Sequence, residues 1–141
     1  MKKLLLCLLT LLLMVSCELE TSSNGDLDGL WHLCSIETAD SVQDISDKTI
    51  FWAVQVNLLS VRGADTEYLL RFHLTDDSLL VRDPYVSDRF HQMGNDSLVT
   101  DPAGLYPYGI FHLQEHFKVE RLTNRRMTLK SDKARLRFKK F

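Results

Sequence analysis

The pattern with the most chemical meaning in this chain is His-Leu-Gln-Glu-His, residues 112–116. Read as H-x-x-E-H, it matches the zinc-peptidase arrangement, in which two His one helical turn apart hold the metal and the Glu acts as base. That chemistry needs a helix. The flanking residues Phe111, Leu113, Phe117 and Val119 alternate instead as in a strand, where two His four apart lie ~13 Å from one another at ~3.3 Å per residue. Both cannot reach one zinc at ~2.0–2.1 Å, and no acidic ligand on a downstream helix follows. They read as two solvent-facing strand His, and no metal site is expected.

Other candidates for chemistry reduce to structure. Asp76 and Asp77 could be paired carboxylates, but adjacent acids followed by Ser between two apolar runs are turn residues. His32, His73 and His91 lack ligand spacing, and there is no G-x-S-x-G and no Gly-rich phosphate loop. Without a convergent acid, base and nucleophile, the chain is read as a non-enzyme with no cofactor. Tyr106 and Tyr108 are more suggestive: they flank Pro107 between Gly104 and Gly109. Rings at the open end of a barrel offer flat apolar area to a ligand. They also serve simply to cap that end.

The elements that would position these residues have a period of two. The run 49–61, TIFWAVQVNLLSV, is read as one strand with Ile50, Trp52, Val54, Val56 and Leu58 on one face. A second strand places Tyr68, Leu70, Phe72 and Leu74 opposite Arg71 and His73. Further strands are SLLVRD, FKVERL, RMTLKS and RLRFKKF, separated by turns at 62–66, 75–78, 93–97, 122–126 and 131–134. Short strands at such spacing predict an all-β, antiparallel, up-and-down sheet. Within it, the strand at 30–36 should pair antiparallel with the strand at 135–141 and close the sheet. Residues 83–109, which hold all three prolines, predict a long loop with one weak strand near Leu98 and Val99. A short helical turn is expected in ADSVQDISDK, residues 39–48. Side chains two apart share a face, so if the sheet curls into a barrel, any interior pocket would be lined by Trp52, Val54, Tyr68 and Phe72, with Tyr106 and Tyr108 closing its mouth.

The chain begins as an export signal: Lys2 and Lys3, then an apolar run from Leu4 to Val15 broken only by Thr10. Twelve residues fall well short of the ~20 that span a bilayer as a helix. The run ends in MVSC, which resembles the bacterial lipobox, with Met14 where Leu is usual. Residues 1–16 are thus expected to be removed and Cys17 to carry the lipid anchor, placing the protein in the cell envelope at the outer membrane. Residues 17–28, CELETSSNGDLD, read as a flexible tether, and 29–141 as the domain. With Cys7 removed and Cys17 lipidated, Cys34 is left without a disulfide partner; were Cys17 free, a bridge between the two would be open. Removal of the leader leaves 15 basic against 19 acidic residues, the wrong sign for nucleic acid. The basic residues near the end alternate with apolar ones, as on the outside of a strand.

Gly29-Leu30-Trp31 resembles the Gly-x-Trp signature on the first strand of lipocalin-like barrels. The closing segment FKVERLTNRRMTLKSDKARLRFKKF is similar to the last strands of small lipocalin-like lipoproteins of Gram-negative gut bacteria. The likeness covers both ends of the chain, and the middle matches only in strand rhythm. It implies an all-β, antiparallel, up-and-down lipocalin-like barrel of about eight strands, with Trp31 plugging one end. The expected partners are a membrane, through the lipid, and a small apolar or amphipathic ligand. The alternative is a filled barrel acting as a structural or protein-binding module of an envelope complex.

Overall fold

The computed structural model describes residues 1–4, 22–87 and 97–141. Most of the leader, Cys17 with the first residues of the tether, His91 and most of the turn at 93–97 lie outside them. Among the described residues no helix is long and apolar enough to cross a membrane. The strands are β1 (Gly29–Thr38), β2 (Val42–Asp44), β3 (Phe51–Gln55), β4 (Leu58–Arg62), β5 (Tyr68–Thr75), β6 (Ser78–Val86), β7 (Ser97–Leu98), β8 (Glu115–Leu122), β9 (Arg126–Lys130) and β10 (Ala134–Lys140). Two 3-10 helices, Gly25–Leu27 and Pro102–Tyr108, complete the set.

Eight strands form a closed antiparallel ring in the order β1, β3, β4, β5, β6, β8, β9, β10, and β10 returns to β1. The closing register runs from Trp31 opposite Lys140 to Thr38 opposite Ala134, the expected union of first and last strands. Closure leaves the ring no unpaired edge. The two remaining strands extend ladders at the ring's margin: β2 on the far half of β1, and β7 on the end of β6.

An eight-stranded barrel encloses just enough space for its own side chains, and this one is filled. Trp31, Leu33, Trp52, Leu59, Val61, Leu70, Phe117, Leu129, Leu136 and Phe138 are all buried. The Trp52 ring meets Phe138 edge-on at 4.9 Å between centroids and Phe117 at 5.8 Å. Burying each such side chain contributes about 1.5–3 kcal/mol.

One end of the barrel is sealed by the first 3-10 helix, which buries Leu27. The Trp31 indole donates to the Leu27 carbonyl at 2.7 Å. Over its ring, 4.7 Å from the centroid, lies the ammonium of Lys140, which also donates to the Asp26 carbonyl at 2.9 Å. The first and last strands therefore grip the same plug, and the indole gains a cation on its negative face.

Three local expectations are corrected. Residues 49–61 are not one strand but a hairpin: Gln55 pairs with Leu58 across a two-residue turn at Val56-Asn57. Val56 and Leu58 are consequently exposed, and the inward face resumes at Leu59 and Val61. The turn was hidden because its first residue is β-branched, with φ 55°, a conformation that such residues rarely adopt. Of residues 83–109, those described are more ordered than a loop: β6 runs to Val86, β7 stands at the expected weak strand, and Pro102–Tyr108 forms a 3-10 helix. β6 continues through Asp83-Pro84 because Asp83 has φ 53° and two residues there oppose one on β5. The resulting bulge accommodates a proline within a strand and turns Pro84 inward. In the segment 39–48, Val42–Asp44 forms β2, and a single turn follows it, closed by the Lys48 N–H donating to the Ile45 carbonyl at 2.9 Å.

Candidate functional site

The end opposite Trp31 is the mouth, where the β4–β5 connection, the β9–β10 turn and the second 3-10 helix meet. That helix starts well: Pro102 occupies its first turn, and the Asp101 carboxylate accepts the Ala103 N–H at 3.0 Å. It stops at Gly109, whose φ of 80° allows its N–H to return to the last turn. Side chains three apart on such a helix share a face, so Leu105 and Tyr108 both turn inward and are fully buried. Tyr106 points the other way and is 45% exposed.

Tyr108 is the plug of the mouth. Its hydroxyl donates to the Thr66 carbonyl at 2.6 Å and accepts the Ala64 N–H at 3.1 Å. Its carbonyl accepts from the Trp52 indole at 3.1 Å. Burial pushes the phenol above its ordinary pKa, so the hydroxyl stays a donor. Tyr68 meets Tyr108 edge-on at 6.2 Å.

Beside the plug lies a groove of about 470 Å³, within the size range of small-molecule sites. Ile36, Ile45, Ile50, Ala64 and Pro107 give it apolar walls, and Tyr106 stands at its lip. Gln43, Asp47, Lys48 and Thr49 supply the polar side. Gly63 joins two of its walls: with φ 110°, it lies so close that a Cβ there would fall 1.8 Å from the Thr49 carbonyl oxygen. Tyr106 is held by stacking on Phe111, 5.3 Å between centroids and 29° between planes.

The residues expected to line an interior pocket separate into two groups. Trp52, Val54, Tyr68 and Tyr108 are buried in the packed interior, and Phe72 is half-buried on β5. Tyr106 alone of the six borders the groove. Of the groove's walls, Ile50 carried an inward signal in its alternation, whereas Ile36 is out of phase with Trp31 and Leu33 and turns inward only through the register shift between Leu33 and Ser35. Ile45 and Lys48 carried none, because β2 and the turn after it were read as helical.

The segment 112–116 is neither helix nor all strand. β8 begins at Glu115, and His112 sits in the bend before it, which corrects the reading of both His as strand residues. His116 faces solvent from β8, whereas Glu115 points inward and is only 1% exposed. One Glu115 oxygen, Oε2, accepts the N–H groups of Phe111 at 2.9 Å and His112 at 2.8 Å. Those two bonds replace the strand ladder that the alternation of Phe111 and Leu113 suggested. Cys34 is half-buried and free.

The profile of the lipocalin-like domain family matches residues 11–141. No curated protein matches the chain. Among solved structures, a lipocalin-like protein from Bacteroides uniformis is similar at TM-score 0.59 and 21% identity, over 83% of this chain and 100% of that one. An uncharacterized protein from Bacteroides eggerthii follows at TM-score 0.54 and 20% identity, over 81% and 98%. A protein from Burkholderia xenovorans reaches TM-score 0.53 at 17% identity, over 81% and 82%. At these identities the likeness is one of fold.

Proposed function

The chain belongs to the lipocalin-like domain family, and from that premise we propose that it binds one small amphipathic molecule at the barrel mouth, as a non-catalytic lipoprotein of the cell envelope. The observation that carries this reading is the groove beside Tyr108: three isoleucines on one side, Lys48, Asp47 and Gln43 on the other, and about 470 Å³ between them. An apolar body would lie against Ile36, Ile45 and Ile50, and Lys48 is the cation available to an acidic head group. The packing of Trp52, Phe117 and Phe138 in the interior supports the mouth over the interior as the place for a ligand. Anchorage through Cys17 is supported by the MVSC sequence. It would attach the barrel by the Trp31 end, where the chain enters, and leave the mouth at the opposite end.

Displacement of an environment-sensitive apolar dye by long-chain carboxylates tests the proposal, in the parent, Tyr106→Ala and Lys48→Glu. Saturable displacement that weakens in both variants supports the groove. Equal displacement in all three moves the ligand elsewhere, and none in the parent removes the reading.

A second reading, a protein-binding module, rests on the outer face. Leu69, Tyr85 and Leu98 lie side by side across β5, β6 and β7, and Leu58 and Tyr85 border a shallow apolar depression. Leu58 and Leu98 are 45% and 59% exposed. Exposed apolar stripes of this kind serve association. Crosslinking in the native envelope, with Leu98→Asp as control, separates this reading from the first.

A further inference from the structure

We propose that His112, Glu115 and Asp132 hold one divalent transition-metal ion of the zinc class at the rim of the mouth. A ligand atom from each residue lies within 4.8 Å of the other two. The set unites the bend before β8 with the β9–β10 turn, two segments that the sequence separates and the barrel brings together.

Glu115 carries the argument. It occupies an inward position of β8 and is 99% removed from solvent. Its Oε2 is taken by two backbone N–H groups, but its Oε1 is buried with no hydrogen-bond partner. A buried carboxylate oxygen with nothing to accept is costly, and a bound cation is a physical remedy for it. The oxygen belongs to the carboxylate that lies beside His112 and Asp132.

The other two ligands fit a metal better than they fit each other. His112 Nε2 and Asp132 Oδ2 are 3.3 Å apart, longer than the ~2.7–2.9 Å of a good charge-assisted hydrogen bond. That separation is the edge of a tetrahedron whose metal–ligand bonds are ~2.0–2.1 Å. Both side chains are substantially exposed, so an ion can enter from solvent. Two carboxylates and a neutral imidazole balance a 2+ charge, and a nitrogen with two oxygens suits zinc-class ions. Three protein ligands leave a fourth position for water.

This site keeps two residues of the H-x-x-E-H pattern and discards the third. His116 lies next to Glu115 on the strand and so faces the opposite way, into solvent. Its place is taken by Asp132, which no local motif could supply.

The test uses the full-length, untagged protein in detergent, titrated with Zn2+ by calorimetry and with Co2+ by visible absorption. The parent should take up about one ion per chain, with the visible bands of low-coordinate Co2+. His112→Ala and Asp132→Asn, both at the surface, should each weaken binding by at least about tenfold, since even outer-shell changes cost that much. His116→Ala should leave it unchanged. Glu115→Gln should abolish it, with circular dichroism to show that the variant folds. If Glu115→Gln does not fold, the two surface variants still decide the matter. Absence of saturable uptake by the parent overturns the proposal. So does loss of uptake in His116→Ala, or its persistence in both surface variants.

Discussion

The indole of Trp52 donates to the carbonyl oxygen of Tyr108 at 3.1 Å, a bond between the β3 strand and the helix that stops the mouth. It ties the barrel wall to its plug inside an apolar interior, where the low dielectric strengthens a hydrogen bond and raises the cost of losing it. Trp52→Phe removes the donor and part of the ring that packs on Phe138. The expected loss is about 2–3 kcal/mol, read as a lower urea midpoint with the slope unchanged. Ligand affinity at the groove should hold, because Trp52 does not line it. A loss under about 0.5 kcal/mol, the level of an ordinary surface change, would show that the plug is not fastened there.

Val56 offers the opposite outcome. It is exposed at the tip of the β3–β4 hairpin, with φ 55°, and its side chain contributes little packing to offset the strain. Backbone strain of this type costs roughly 1–3 kcal/mol, and glycine's own entropic cost is about 0.5–1 kcal/mol. Val56→Gly should therefore raise stability by about 1 kcal/mol. A lower melting temperature in this variant would contradict the turn.

Acid should weaken the barrel in a defined way. The Arg137 guanidinium beside Glu37 and the Arg135 guanidinium beside Glu120 hold both carboxyls below their usual range. The contacts are 2.7 Å and 2.6 Å. A carboxyl whose pKa is depressed on folding contributes stability above its unfolded pKa, about 4.3 for Glu. That contribution is lost as pH falls through the folded value. Both pairs are exposed, so salt should shrink the effect. Unfolding measured against pH should show a decline on the acid side that is shallower in Glu37→Gln/Glu120→Gln. Matching acid limbs in parent and double variant would rule the pairs out as its source.

The proposed anchorage at Cys17 is separable from folding. Cys17→Ser should move the protein from the detergent phase to the aqueous phase on partitioning, with its melting temperature unchanged. A parent that already remains aqueous would remove the lipoprotein reading.

Which parts of this architecture could be read from the chain follows from the range of the interactions involved. The alternation at Tyr68, Leu70 and Phe72 and at Leu136 and Phe138 gave the inward faces, because a strand's pleat imposes it locally. The β3–β4 turn was missed because it uses Val56 and Asn57, where glycine is the usual choice. A strand through Pro84 was missed because only a bulge makes it possible. The candidate site was least legible. Tyr106 carried a local signal, but Ile45 reaches the groove through β2, and Asp132 meets Glu115 only because β8 and β9 pair.

The pairing of β1 with β10 also governs when this molecule can fold. The first barrel strand has no partner on that side until the last one is available, so the ring cannot close while the C-terminal residues are still being made. Contacts between opposite ends of a chain are slow to form, because the whole intervening loop must be ordered to make them. During that interval both edges stay open to other chains. A protein built this way is open to pairing with other chains until its last residues are in place.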